Sequence, residues 1–251
     1  MAVMIFCVGL AVGSFLQVAY WRYSPSQSLF DYLIAITFPR SSCPHCQHSL
    51  SAWQLIPVLS WLILKRRCYF CQQKIAFCYP IFELAVAGLF LLIYLNKDLN
   101  FQSMLLMLLA SYFLLLALID FRYFLLPDFF TQPLMWGGLM MAYFDLNSLT
   151  ISDALTGIFC GYLMLKLPAV CYFCLTKREG LGDGDIKLAA ALGAWLPYQL
   201  IPLLLIMASL SGIVFFIFAK YKQTKYKQNM HDMIAFGPFL LLSGYLIIFS
   251  L

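Results

Sequence analysis

Charge is what this sequence has least of. Of 251 residues, 16 are Lys or Arg, 11 are Asp or Glu and 3 are His, so only 11% are charged. A soluble domain carries about 25%. An ordinary water-soluble fold is therefore excluded: 63% of the chain is hydrophobic, and a soluble core would leave much of that load in water. A bilayer accepts it, provided the apolar runs reach roughly 20 residues. The first run, Ala2 to Tyr20, has no basic leading region and no small-residue cleavage site before Trp21-Arg22, and reads as a retained first span. Tandem repeats and low-complexity tracts are also absent.

The runs that are present predict an all-α polytopic membrane protein of about eight transmembrane helices, at roughly 2–20, 78–95, 101–119, 128–146, 151–173, 186–199, 200–219 and 233–251. The stretch 186–219 reads either as two short helices with a turn at Pro197-Tyr198-Gln199 or as one span with a re-entrant piece. Basic residues concentrate in cytoplasmic loops, and the charges sort accordingly. Arg22, Arg40, Lys65, Arg66, Arg67 and Lys74 share the first loop. Arg122, then Lys177, Arg178 and Lys187, then Lys220, Lys222, Lys225 and Lys227 fall on the same side. The opposite loops hold Lys97 beside Asp98, and the acidic Asp145 and Asp153. Both termini are then outside. Lys166 stands within the fifth run, where it snorkels or marks a shorter span. A formal net charge of +5 would be modest evidence for nucleic acid in a soluble protein. Here topology explains it, and no nucleic-acid partner is expected. Three regions follow: 1–21 as the first transmembrane helix, 22–77 as a cytoplasmic loop domain, and 78–251 as the main transmembrane core.

The loop domain holds Cys43-Pro-His-Cys46 and Cys68-Tyr-Phe-Cys71, two C-x-x-C pairs separated by 21 residues. Paired knuckles with that separation resemble a zinc ribbon. Each pair can bring two sulfurs to one tetrahedral ion at about 2.3 Å, and in so short a loop the ion can supply most of the folding energy. Cytoplasmic placement argues against disulfides. Zinc at Cys43, Cys46, Cys68 and Cys71 is the expectation, against a redox pair or four unrelated thiols. His45 and His48 are alternative ligands, but four sulfurs already fill a closed structural site. Cys171 and Cys174 also form C-x-x-C, yet like Cys7, Cys78 and Cys160 they lie in apolar surroundings, where free cysteine acts as a small apolar residue.

With so few acids, position is informative. Asp120 ends the third run, in Ala117-Leu-Ile-Asp120-Phe-Arg-Tyr-Phe-Leu-Leu-Pro-Asp128, and Asp185 precedes the sixth, in Glu179-Gly-Leu-Gly-Asp-Gly-Asp185-Ile-Lys-Leu188. Ionisable groups at the membrane edge suggest function. Two adjacent carboxyls can share a proton, one acting as general base on water and the other polarising a peptide carbonyl. Glycines 180, 182 and 184 would allow close backbone approach or positive φ. The alternatives are ordinary: Asp128 and Asp183 as helix caps, and Asp120 and Asp185 paired with Arg122 and Lys187 on a solvated face. The glycine-rich run also raises phosphate binding, but it lacks the P-loop pattern.

Taken together, these motifs resemble the type IV prepilin leader peptidases, members of the G-x-G-D group of membrane aspartic proteases. The likeness runs from Gly13-Ser-Phe-Leu-Gln-Val-Ala-Tyr-Trp-Arg22 through the Cys pairs, Tyr79-Pro-Ile-Phe-Glu83, the Asp120 segment and Gly182-Asp-Gly-Asp185-Ile-Lys-Leu188 to Ala235-Phe-Gly-Pro-Phe-Leu240. The resemblance implies Asp120 and Asp185 as the catalytic pair, with Gly182, Gly184, Lys187, Asp128 and Glu83 in supporting roles and Asp183 at the variable position. It implies removal of a short basic leader from prepilins or pseudopilins at the cytoplasmic face of the bacterial inner membrane, usually after a glycine. Methylation of the new N-terminus with S-adenosylmethionine would follow, in pilus, secretion or competence systems. One departure stands out: family members usually carry arginine just before Tyr-Pro, and this chain has Cys78. The intact tetracysteine loop keeps methyl transfer in the expectation. The competing readings are a peptidase without methylation, a non-enzymatic zinc-braced pilin assembly factor, and a transporter; the last lacks paired inverted halves.

Overall fold

The computed structural model describes residues 1–147, 149–178, 180–226 and 235–251, the side chains of 222–226 excepted. Glu179, Lys227 and positions 233 and 234 of the eighth expected span lie outside the described residues, as do the side chains of Lys222 and Lys225. The described residues are helical, with two isolated bridges, Ser42–Ser49 and Arg67–Lys74, and no strand. They form two compact units, Met1–Leu115 and Leu116–Leu251.

The first unit contains α1 (Ala2–Arg22), α2 (Leu29–Thr37), a 3₁₀ turn (Ala52–Leu55), α3 (Leu59–Ile63), α4 (Cys78–Lys97) and the first part of α5 (Phe101–Tyr123). α1 packs along α4. Lipid offers no hydrophobic force between two apolar helices, so close approach depends on small residues. Gly9 and Gly13, one turn apart, supply them: a Cβ at Gly9 would lie 2.6 Å from Ala87 Cα, and one at Gly13 would lie 2.9 Å from Glu83 Cα. Within the loop, α2 begins at Ser28, whose hydroxyl accepts the Asp31 N–H at 3.2 Å and donates to the Asp31 carboxylate at 2.7 Å.

The second unit contains the end of α5, then α6 (Asp128–Tyr143), α7 (Ile151–Thr176), α8 (Asp183–Gly193), a 3₁₀ turn (Tyr198–Leu200), α9 (Ile201–Tyr226) and α10 (Gly237–Ser250). α8 is at its centre, packed against α6, α7 and α10. Ile186 and every residue from Leu188 to Gly193 are buried. Small residues make this possible. Gly157 of α7 and Gly193 of α8 meet backbone to backbone, and a Cβ at Gly138 of α6 would lie 2.7 Å from the Ala194 Cβ. The Trp195 indole N–H caps the packing by donating to the Leu134 carbonyl at 2.8 Å. A branched side chain at 157 must drive α7 and α8 apart. Gly157→Val is expected to cost about 1–3 kcal/mol by overpacking, read as a lower thermal midpoint in detergent. Gly88→Ala, whose Cβ would meet nothing within 4 Å, should leave the midpoint unchanged.

Every one of the eight expected apolar segments contains a helix. Among the described residues, five helical stretches have the length and hydropathy to cross a membrane: α1, α4, α5, α7 and Tyr198–Tyr221, which includes most of α9. α6, α8 and α10 have 16, 11 and 14 residues, so the expected count of eight crossings is not reached on this measure. The 186–219 stretch resolves into two helices. The first starts at Asp183 and stops at Gly193 instead of running over 186–199. Its 11 residues rise only roughly 16 Å, about half a hydrocarbon core.

Candidate active site and metal site

The four cysteines of the paired motifs come together in the first unit, with all four sulfurs within 4.8 Å of one another. Cys43 Sγ and Cys71 Sγ are 3.8 Å apart. Tetrahedral zinc with bonds of about 2.3 Å requires sulfurs about 3.8 Å apart, so the cluster fits that ion. Two like knuckles build it. Gln47 N–H donates to the Cys43 carbonyl at 2.9 Å, and Gln72 N–H to the Cys68 carbonyl at 3.1 Å. Cys43 N–H and Cys68 N–H then reach the carbonyls of His48 and Gln73. Gln47 and Gln72 both turn the chain with φ of 58°. All four thiols are free, not disulfide-bonded. His48 stacks on Phe70 with ring centroids 3.5 Å apart, and the cluster is made of sulfur alone.

Glu83 also belongs to this unit. Its side chain is buried on α4, where Oε2 accepts the Val58 N–H at 2.8 Å. Val58 has a φ of 58°, uncommon for a β-branched residue, and that backbone turn is what aims its N–H at the carboxylate.

The aspartates sit in the second unit. Asp120, on the last turns of α5, is 4% exposed. Leu126 follows it on the connection to α6 and wedges between two glycines: a Cβ at Gly184 would lie 3.1 Å from Leu126 Cβ, and one at Gly237 would lie 3.0 Å from Leu126 Cδ1. A Cβ at Gly237 would also lie 2.6 Å from Asp120 Oδ2. The end of α5, the first turn of α8 and the start of α10 therefore converge around one carboxyl. Asp185 stands in that first turn of α8, its N–H bonded to the Gly182 carbonyl at 3.2 Å. Outside the candidate spans and half-buried, its carboxyl is pushed up to about 7, chiefly by burial and then by the neighbouring Asp120 charge. Two carboxyls close enough to repel one another titrate as a pair. The glycines act through space, not through φ: no described glycine has positive φ. A Cβ at Gly182 would meet only Asp185 Oδ2, at 3.5 Å, so the approach to that carboxyl is open.

The ordinary alternatives for these acids resolve differently from expectation. Lys187 pairs with Asp128, at 2.7 and 2.9 Å to its two oxygens, not with Asp185. Asp128 and Asp183 are the first helical residues of α6 and α8, while extended Pro127 and Gly182 take the cap positions. Asp183 is less incidental than its variable position implies, because Lys166 reaches it from α7 at 3.0 Å. The two ion pairs tie the first turn of α8 to α6 and α7. Lys166 inside an apolar run was the one visible signal of this, and its partner was not legible.

Two family models cover most of the chain: "Bacterial Peptidase A24 N-terminal domain" matches residues 7–97 and "Type IV leader peptidase family" matches residues 107–217. The "Type 4 prepilin-like proteins leader peptide-processing enzyme" of Escherichia coli O78:H11 is 35% identical over 94% of this chain and 89% of that protein. The chain belongs to the type IV leader peptidase family. Two proteins named "Prepilin leader peptidase/N-methyltransferase" agree with this assignment. That of Aeromonas salmonicida (strain A449) is 34% identical over 97% of this chain and 88% of its own length, and that of Dickeya chrysanthemi is 37% identical over 94% and 88%. No solved structure matches the chain. As a family member with several membrane-length helices, it is a multi-pass membrane protein.

Proposed function

We propose that this peptidase removes the basic leader from type IV prepilins or prepilin-like proteins with Asp120 and Asp185, and then methylates the new N-terminal amine with S-adenosylmethionine as methyl donor. The observation that carries the reading is the convergence of these two carboxyls from different helices on one site, in a chain whose relatives are named for this activity. The ionised member takes a proton from water as the oxygen attacks the scissile carbonyl, and the protonated member donates to the carbonyl oxygen. Collapse of the tetrahedral intermediate, with a proton returned to the leaving nitrogen, yields the leader's carboxylate and a free amine. Gly182, beside Asp185, leaves room for an extended substrate strand, while Gly184 is closed off by Leu126. Lys187–Asp128 supports the site by holding α8 to α6.

The basic side of the topology supports cytoplasmic placement of the 22–77 loop and of both aspartates at the bacterial inner membrane. There the pair is reached by water without a path to the bilayer centre. Zinc in the four-sulfur cluster would brace that loop; a closed site of four thiolates has no position for substrate. Residues 78–251 then form the peptidase core, with lipid and pilin-like proteins as the partners. Methyl transfer rests on the relatives' names and the intact cysteine loop, and Cys78 keeps a peptidase-only reading as the second. Purified protein in detergent, mixed with a prepilin-like substrate and S-adenosylmethionine and read by mass spectrometry, separates them. Leader loss plus one methyl mass is expected. Leader loss alone selects the second reading, and neither product from several pilin-like substrates favours an assembly factor.

The pH dependence has a definite sign. With Asp185 raised to about 7, the pair holds its shared proton near neutrality and loses it above, so cleavage should decline as pH climbs past about 7. Between the unfolded value of 3.8 and about 7, the folded state binds more protons than the unfolded one, so this group's contribution to stability falls as pH rises through that window. Asp120→Asn removes the neighbouring charge, the lesser cause, and should lessen the corresponding decline in thermal midpoint between those pH values without abolishing it.

A further inference from the structure

α10 begins in an unusual way. Phe236 is its cap, Gly237 its first residue and Pro238 its second. The N–H groups of Phe239 and Leu240 both turn back to the Phe236 carbonyl, at 3.1 and 3.3 Å, and Pro238 has no N–H to offer. The remaining first-turn donor, the Gly237 N–H, faces the Asp120 carboxyl. Oδ2 of that carboxyl is nonetheless buried and has no hydrogen-bond partner. An orphaned, buried carboxylate oxygen is expensive unless something else is meant to meet it. The start of α10 can lie this close to it only because residue 237 lacks a side chain: a Cβ there would lie 2.6 Å from Oδ2 and 3.2 Å from Cγ.

We propose that Gly237 is a positioning residue of the peptidase: its N–H orients the Asp120 carboxyl, and its missing side chain lets the start of α10 close on that carboxyl without displacing it. Nothing in the catalytic role given to Asp120 and Asp185 requires a third segment. The geometry supplies one, from a helix more than a hundred residues further along the chain. The inference rests on the leader-peptidase reading. Of the groups a methyl at 237 would meet, the Leu126 side chain can give way, but the nearest is the reacting carboxyl itself. Displacing a reacting group by about 1 Å can cost about 100-fold in rate.

The test compares wild type, Gly237→Ala and Gly212→Ala in detergent with a prepilin-like substrate, measuring kcat and KM for leader release, thermal midpoint, and methyl transfer to an already processed substrate. A Cβ at Gly212 would make only ordinary contacts with the Phe239 ring, at 3.5 Å or more, so that variant should match wild type. Gly237→Ala is expected to lose about 100-fold in kcat with KM, midpoint and methyl transfer retained. The double variant Leu126→Ala/Gly237→Ala separates positioning from packing, since it makes room on the Leu126 side only, and it should stay inactive. Recovery of cleavage in the double variant, wild-type kcat in Gly237→Ala, or joint loss of midpoint, methyl transfer and cleavage would each overturn the proposal. A wild type that releases no leader would instead sink the peptidase reading on which it stands.

Discussion

Asp120→Asn and Asp185→Asn should each lower leader release by about 100- to 10,000-fold, the range for loss of a positioned acid or base. Asparagine keeps the shape and removes both the charge and the capacity to carry a proton, so neither variant can complete the exchange with water. The losses should not multiply. A pair that acts as one unit fails when either half is missing, so the double variant should resemble each single one. Methyl transfer to an already processed substrate is the internal control, since amine attack on a methyl donor uses neither carboxyl. Asp183→Asn should have a much smaller effect, because it only loosens a solvated pair with Lys166, whose partner is 78% exposed and therefore worth little. Leader release at wild-type rate in either single variant would remove the dyad.

The second large effect concerns the sulfur cluster. One zinc per chain should co-purify, and Cys43→Ser, Cys46→Ser, Cys68→Ser or Cys71→Ser should each abolish it. Structural zinc contributes about 10–16 kcal/mol to small domains. The loop has little apolar core to replace that: Trp53, Leu55, Ile56, Leu59, Leu62, Ile63, Tyr69 and Phe70 are all exposed. Chelation should therefore open residues 38–77 to protease, with α1 and α4 still protected by their own packing. Cys171→Ser and Cys174→Ser, on the exposed end of α7, should leave metal content unchanged. A protein that carries no metal and resists protease equally with and without chelator would contradict the zinc assignment.

Much of this was legible in the sequence because lipid enforces simple rules. Apolar runs locate the helices, since backbone groups in a bilayer must be satisfied internally, and the C-x-x-C repeats locate the cluster through their spacing. What hydropathy cannot separate is lipid-facing from helix-facing apolar surface. α8 illustrates the gap: Leu188, Ala189, Ala190, Ala191 and Leu192 read as part of a span, yet they are buried among neighbouring helices in an element too short to cross. α2 carries an ordinary capping signal at Ser28–Asp31, but its 9 residues are too few to stand out as an apolar run. The role of Gly237 was beyond sequence reasoning altogether. Ala235-Phe-Gly-Pro-Phe-Leu240 is visible as a motif, but only tertiary packing shows that its glycine abuts Asp120. Likewise Asp128 and Lys187 could be suspected singly, while their pairing across 59 residues could not.

If Asp120 and Asp185 activate water as proposed, cleavage passes through no covalent enzyme intermediate. A single turnover of wild-type protein on a prepilin-like substrate in oxygen-18 water tests it directly, with leader and enzyme both read by mass spectrometry. One labelled oxygen is expected in the new carboxylate of the released leader and none at Asp120 or Asp185. Label in either aspartate, or a peptidyl anhydride trapped on one of them, would contradict direct attack by water.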